Sequence, residues 1–463
     1  LKSLGLVIVD GVGFRNFILS EFLSEADKSF DRVVIYSNIP LDAYAGLIPD
    51  SVLLREMDNF PEKRNSWFYR KLKEVAHLKK HDNVFGIRDN HRRGYPKGFS
   101  KRKLLVKIAY TLTNMFHSEK DINFFERKQF KTFTNTEYFE KHLKDDEIDI
   151  LFFTHQRPPY IAPFVVAAQN LKIPTTSFIF SWDNLASKGR MAATFDSYFV
   201  WSDLMKDELL HYYPDTQEPD IEVVGTPQFE PYVMEHYERS REDFFKKFEM
   251  DPMVKTVCFS CGDISTSPND EHYISIIADA IEKGKIKEKV NLLVRTSPAE
   301  GKERFREIKE KYPFIIWNYP DWELKRTDHA EIWSQRVPNV SDLTDLRSIL
   351  QFCDLNINMC STMSLDFILF DKPVINPVLG NGENQLFNDQ KYLNYLHYKY
   401  VVDSKGTAIV KTEEELINTI NNDLMSPESR MEAQKELIEL EIGKPLKGTS
   451  QRMVNTLLNL VEA

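Results

Sequence analysis

Asp10 closes the apolar run Leu4 to Val9 and opens the turn Asp10-Gly11-Val12-Gly13, after which a helix is expected from about Phe14. An acid at such a strand end is placed to take a proton as general base, and an acid in the same position also caps a helix; the residues alone leave both readings open. A second acid, Asp183, sits in the stretch SWDNLASKG beside Trp182, Asn184, Ser187 and Lys188. A loop past a strand end that gathers a carboxylate, an amide, a cation and an indole is more often a site than a turn. His155, Gln156 and Arg157 end the preceding strand and are expected on the same rim. The third group is Ser361-Thr362, which opens a helix carrying Leu365, Ile368 and Leu369 just after a strand built on Leu355, Ile357 and Met359. Two hydroxyls with unpaired backbone N–H groups at the positive end of a helix suit a phosphate or diphosphate. An isolated Ser-Thr is more often a plain N-cap; its place at the carboxyl end of a strand, where open α/β sheets put ligands, favours the phosphate.

These groups need elements that hold them at one edge. Between Asp149 and Thr226 the chain runs IDILFFT, a helix from about Ile161 to Leu171, PTTSFIF, DSYFVWS, a helix from Leu204 to His211, and IEVVG. Strands alternating with helices imply a parallel sheet with right-handed crossovers. Gly225-Thr226-Pro227 stops this block, a charged and mostly helical run follows, and a second block begins at Val254. There the strand VKTVCFS leads into a polar turn with Gly262, and NLLVRTSP places Arg295 and Ser297 at its carboxyl end. After the strand at Val374, GNGENQLFNDQKYL offers Glu383, Asn384, Gln385 and Gln390 to a sugar or ribose hydroxyl. The opening strand, glycine turn and helix lacks the third glycine of the dinucleotide fingerprint, so its glycines are read as letting backbone approach some other ligand.

A chain of 463 residues exceeds one ordinary core, and the expected division is 1–235, 236–445 and a terminal helical piece 446–463 that crosses back to the first domain. Sixty basic against 70 acidic residues, net −10, give no overall case for nucleic-acid binding. No apolar run approaches a transmembrane length and Leu4 to Val9 is too short for a signal peptide, so the expected address is the cytoplasm. Charge is uneven, however. Residues 63–107 hold fifteen Lys or Arg against three acids, interleaved with Trp67, Phe68, Tyr69, Tyr95 and Phe99. Such a patch suits an anionic membrane surface or an acidic acceptor, the competing reading being a solvated face paired to acids elsewhere. Cys258 and Cys261 form a C-x-x-C, but their side chains would leave a strand end on opposite faces and no second pair completes a zinc set. They are read as buried thiols.

Four pieces in this order, SWDNLASKG, VVGTPQFE, LLVRTSP and CSTMSLDFILFDKPVI, resemble those of GT-B glycosyltransferases that build bacterial surface carbohydrates. The last two are also similar to the phosphate-binding part of glycerophosphotransferases and of hydrolysing sugar-nucleotide epimerases. The resemblance implies an α/β protein of two Rossmann-like domains facing each other across a cleft. It implies a nucleotide-sugar donor held by the C-terminal domain through Gly262, Arg295, Ser297, Ser361, Thr362, Glu383 and Gln385. It implies a glycan or lipid-linked acceptor held by the N-terminal domain through Gly13, Arg15, Asn16, His155, Arg157, Trp182, Asn184 and Lys188, with Asp10 or Asp183 as base. Where several relatives carry His-Pro, this chain has Ser297-Pro298, so Arg295 or another cation would meet the phosphate charge. The lack of a clear D-x-D motif points to a metal-independent reaction with no cofactor beyond the donor itself.

The leading expectation is therefore glycosyl transfer to a hydroxyl of a surface glycan or glycolipid. An epimerase or a glycerophosphotransferase on the same architecture is the second, and a catalytically silent carbohydrate- or membrane-binding module the third.

Overall fold

Six consecutive buried residues, Ser3–Ile8, form β1, and their uniform burial is what a central parallel strand covered on both faces demands. The computed structural model describes residues 2–329 and 331–462. Strands β2 (Arg32–Ser37), β3 (Leu53–Glu56), β4 (Ile150–Phe153), β5 (Thr175–Phe178), β6 (Ser197–Val200) and β7 (Ile221–Val223) join β1 in a seven-stranded sheet of order β3-β2-β1-β4-β5-β6-β7. Every pairing is parallel. The chain runs outward from β1 on one side and then returns to begin again at β4 on the other, so the order reverses between β1 and β4. The helix after β1, α1 (Gly11–Ile18), is anchored by Phe17, which meets Phe22, Phe152 and Phe178 edge-on at 5.1, 5.4 and 5.6 Å. A Cβ at Gly11 would fall 1.6 Å from the Arg336 carbonyl oxygen, so only glycine fits that contact. The first of the opening glycines thus serves a close backbone packing contact.

The chain divides into two units. Unit 1 is Leu1–Glu230, Leu324–Val337 and Glu441–Ala463; unit 2 is Pro231–Glu323 and Pro338–Leu440. This division departs from a single break near residue 235, because the segment 324–337, bracketed by the short paired strands Trp322–Leu324 and Arg336–Pro338, belongs with unit 1. Within unit 1 the last helix, Thr449–Glu462, packs on α2 (Phe22–Ser29) and buries Met453, Val454 and Leu457.

Between β3 and β4 unit 1 carries five helices: α3 (Arg64–Lys80), α4 (Phe85–Gly94), α5 (Lys101–Thr113), α6 (Glu119–Phe130) and α7 (Thr136–Asp145). The basic stretch of the sequence is the first three of these. Part of its charge is neutralised: Arg70 bonds Glu62 and Glu74, Lys80 bonds Glu119, and the buried Lys73 bonds Glu126 at 3.0 Å. After β4 the helix Ala162–Leu171 covers the sheet.

Unit 2 repeats the plan. Its six strands, β8 (Lys255–Ser260), β9 (Val290–Arg295), β10 (Ile316–Asn318) and then Leu355–Ile357, Val374–Pro377 and Ala408–Val410, are parallel neighbours that reverse order between β8 and Leu355–Ile357. Val257, Phe259, Leu292 and Ile357 of these strands pack with Tyr273 and Ile277 of the helix Asp270–Glu282 in its core. Among the described residues no helix is long and apolar enough to cross a membrane.

Candidate functional site

In an open parallel sheet the point where strand order reverses leaves a crevice at the carboxyl ends of the strands, because successive crossovers cover opposite faces there. In unit 1 that crevice is flanked by Asp10, just past β1, and His155, just past β4. The two carboxylate oxygens of Asp10 divide the work. Oδ1 accepts the Gly13 N–H at 2.7 Å and so caps α1, while Oδ2 lies 2.7 Å from His155 Nδ1. Both residues are buried. A carboxylate in this pairing accepts, so Nδ1 carries the proton and the lone pair of the neutral ring sits on Nε2. Nε2 has no partner among the described residues. The ring is further held by Phe180, stacked at 3.8 Å between centroids. Burial pushes the His155 pKa below its usual value, and the Asp10 charge opposes that, so the imidazole is a neutral acceptor at physiological pH. An acid that orients a neutral histidine with one free nitrogen is the arrangement of a general base and its positioning residue. Asp10 and His155, expected separately as base and acceptor contact, are thus one device.

Around the pair stand groups from the loop after β4 and from the segment 324–337. Tyr160 donates to the Val9 carbonyl at 3.2 Å, and the half-buried Glu331 has its carboxyl pushed up by burial and then by the Asp10 charge. Arg157 lies close enough to lower the pKa of both His155 and Glu331, and its Nε is buried without a partner among the described residues. Glu331, His329 and Tyr160 escaped the sequence reading. Two of them belong to the segment 324–337, which nothing in the chain order assigns to the first domain.

Asp183 is a different case. Its carboxylate accepts from Asn184 Nδ2 at 3.0 Å and pairs with Lys188 at 3.0 Å, with Ser187 Oγ at 3.4 Å, all inside its own turn over the four-residue helix Asn184–Ser187. Asn184 Oδ1 in turn accepts from Gln156, whose own Oε1 takes the Phe180 N–H. Asp183, expected as a site residue and as the alternative base, is thus held by Asn184 and Lys188 of its own loop. Trp182 is buried. Gly13 packs on Thr154, where a Cβ would come within 2.8 Å of Oγ1. Arg15 and Asn16 are buried on α1, and both side-chain polar atoms of Asn16 lack a partner among the described residues.

In unit 2 the corresponding crevice lies between the loop after β8, which contains Gly262, and residues 358–362. The Gly262 N–H is taken by Asp270 at 2.9 Å. The helix after Ser361-Thr362 is short, Met363–Ile368. Two backbone N–H groups at its start are already engaged: that of Ser361 by Asn358 Oδ1 at 2.9 Å and that of Met363 by Ser361 Oγ at 3.0 Å. Asn358 Oδ1 also accepts from Ser364 Oγ and Asn376. The picture of an open helix start is therefore corrected, leaving the Thr362 side chain without a capping bond. Arg295 is corrected too. It is buried in a two-point pair with Asp342 at 3.0 Å and bonds Asn318, so it does not stand free at the rim. Ser297 Oγ accepts the Ala299 N–H at 3.2 Å in a local turn, and Glu383 and Gln385 lie exposed in the loop after Val374–Pro377. All four cysteines are free thiols, and among the described residues no three His, Cys, Asp or Glu side chains gather closely enough for a metal ion.

No protein-family model matches the chain, and no curated protein matches it in sequence. Solved structures do resemble it. A UDP-GlcNAc 2-epimerase from Neisseria meningitidis bound to UDP-GlcNAc matches with a TM-score of 0.52 at 9% identity, over 99% of this chain and 100% of that one. A glycosyltransferase from Rickettsia africae matches at 0.50 and 10% identity over 100% and 98%. The wall teichoic acid polymerase TagF matches at 0.52 and 9% identity over 100% and 89%. At such identities the likeness concerns architecture, and it agrees with the two sheets.

Proposed function

We propose that the protein, whose two Rossmann-like domains give it the GT-B fold, moves a glycosyl group from a nucleotide-activated sugar to a hydroxyl of a glycan or lipid-linked acceptor, with His155 as general base and Asp10 as its positioning residue. The single observation that carries this reading is the unpartnered Nε2 of a buried, Asp-bound histidine at the crevice of unit 1. The acceptor hydroxyl donates to Nε2, the proton passes to that nitrogen, and the imidazolium so formed is balanced by Asp10. The hydroxyl oxygen attacks the anomeric carbon as the bond to the departing diphosphate breaks. Unit 2 is the donor domain in this reading, with the loops at Gly262 and Thr362 near the diphosphate and Glu383 and Gln385 near the ribose. Arg157, expected on the acceptor, is retained beside the base. No metal ion is invoked, so a chelator should leave turnover unchanged.

A second reading has its own support. The Neisseria epimerase of the same fold holds UDP-GlcNAc, and an enzyme acting on the nucleotide sugar itself would need no acceptor. A glycerophosphotransferase, the other alternative on this architecture, would instead consume a nucleotide-alcohol and release a nucleoside monophosphate. The test is a thermal-shift panel of nucleotides, since a ligand of the folded state raises its apparent stability. The nucleotide that binds is then supplied as its sugar derivative with and without an acceptor mixture. Release of nucleoside diphosphate only with acceptor supports transfer; conversion without acceptor overturns it in favour of the epimerase.

A further inference from the structure

Between the short helix Asn184–Ser187 and β6, residues 188–196 form no helix or strand, yet Arg190 to Ala193 are buried. Buried peptide groups outside regular structure must find partners elsewhere, so the groups that reach this stretch decide where it lies. One of its contacts leads to the dyad. The Ala192 N–H donates to the Gln156 carbonyl at 2.9 Å, and Gln156 follows His155 directly in the chain. Gln156 is 1% exposed, and its side chain ties the same corner a second time. Its Oε1 accepts the N–H of Phe180, whose ring lies 11° from parallel on the His155 imidazole, and its Nε2 donates to Asn184. Residue 192 therefore reaches the imidazole by two routes, through the backbone of Gln156 and through the Phe180 stack.

What holds residue 192 comes from the helices between β3 and β4. Lys73 of α3, with no exposed surface, extends its ammonium to the Ala192 carbonyl at 2.7 Å and to Glu126 of α6 at 3.0 Å. The other carboxylate oxygen of Glu126 accepts the Thr194 hydroxyl at 2.9 Å. Arg190 pairs with Glu119, the first residue of α6, at 2.6 Å and lies 4.3 Å from the ring centre of Tyr213, whose hydroxyl takes the Met191 N–H at 3.2 Å. Asn90 of α4 donates to the Ser187 carbonyl at 3.1 Å.

Stability alone does not call for a buried ion pair at this place. The desolvation of Lys73 and Glu126 offsets much of their attraction, and an apolar pair of similar volume would pack the two helices as firmly. What an apolar pair lacks is direction. It cannot donate to a carbonyl, so the Ala192 oxygen would be left buried and unpaired. The ammonium gives one N–H to Ala192 and one to Glu126, and Glu126 returns to the same stretch at Thr194, so the pair fixes two points only two residues apart.

We infer that Lys73 is a positioning residue for His155: held by Glu126, it fixes Ala192, which fixes Gln156 and with it the orientation of the imidazole. The hold on the ring stands by itself; its effect on turnover rests on the transfer reading above. The test is Lys73→Met with Glu126→Gln, which removes both buried charges together, nearly keeps both volumes and leaves an acceptor for Thr194. Its denaturation midpoint should lie close to that of the wild type. Labelling histidine with 15N in the full chain reads the ring directly. The Nδ1–H of His155, bonded to Asp10, gives a proton signal assigned by its absence from His155→Gln, and it persists only while exchange with water is slow. In the double variant that proton should exchange at least about tenfold faster. Turnover in the transfer assay should fall at least about tenfold in kcat with KM within about twofold, and should fall no further when the same two substitutions are made in His155→Gln. Ala192→Gly keeps every buried charge and loosens only the backbone that Lys73 holds; it should move both readings the same way by about threefold, and it carries the test if the double variant does not fold. An unchanged His155 signal overturns the inference. So does an equal loss of turnover with and without the imidazole, or faster exchange beside wild-type rates. If His155→Gln itself turns over normally, the base assignment falls and the exchange of the ring proton alone decides whether Lys73 holds His155.

Discussion

The two sheets share one topology and differ in what stands at the reversal of strand order. In unit 1 a carboxylate and an imidazole meet there and one nitrogen is left without a partner among the described residues. In unit 2 the same place is filled by an internal network in which Asn358, Ser364 and Asn376 bond one another, Asp270 takes the Gly262 N–H and Arg295 is neutralised by Asp342. The comparison teaches that a strand-end position makes a residue available but does not make it free. Its neighbours in space decide that, and they decide oppositely in the two units.

The largest expected effect tests the reactive rim. His155→Gln should cut turnover by roughly a hundred- to ten-thousandfold and Asp10→Asn by a comparable factor, with nucleotide binding kept, whereas Asp183→Asn should change turnover little. Steady-state rates with the substrates found above read this directly, and a fully active His155→Gln beside a crippled Asp183→Asn would reverse the assignment. Below its lowered pKa His155 becomes protonated, so the acidic limb of kcat/KM should lie below the usual imidazole value and vanish in His155→Gln.

The quiet rim is tested next. Arg295→Met leaves Asp342 buried without its cation and should cost about 3–5 kcal/mol, seen as a lower midpoint in denaturant. Arg295→Met with Asp342→Leu should recover most of that loss and bind nucleotide as the wild type does. A stable double variant that has lost nucleotide binding would show that Arg295 holds phosphate after all.

Smaller effects come from titration in unit 1. Burial lowers the pKa of His77 far below the usual 6.5 and takes His81 down to about 4. The unfolded chain therefore binds more protons than the folded one once pH drops below 6.5, and stability is lost progressively from there toward 4. Denaturation at a series of pH values should show this slope, and His77→Phe, a similar shape without a titrating group, should make it shallower. Glu208 runs the other way. Burial, with the Asp183 charge added, pushes it up to about 8, so the folded state binds the extra proton and stability falls as pH rises from about 4.5 to 8. Glu208→Gln should flatten that slope.

How much of this was legible depends on the separation of the residues involved. The strands LGLVIV and IDILFFT could be read at once, because a strand buried on both faces must be apolar throughout. Asp10 and His155 were both recognised as strand-end residues, yet 145 positions separate them and no spacing rule joins them. Arg295 looked free because Asp342, its partner, is 47 positions further on. Part of the basic excess of residues 63–107 is met by Glu119 and Glu126, which follow that stretch in the chain and reach it only in the fold.

The sequence by itself determined the alternation of elements, hence two parallel sheets with helices, and it placed polar residues at their carboxyl ends, because periodicity and burial are local properties of the chain. Only the tertiary structure decided that Asp10 orients His155, that Asp183 and Arg295 are occupied, and that the segment 324–337 joins unit 1. Availability for chemistry depends on hydrogen-bond and charge partners within about 3 Å, and those partners come from distant parts of the chain that meet only once the sheets have formed.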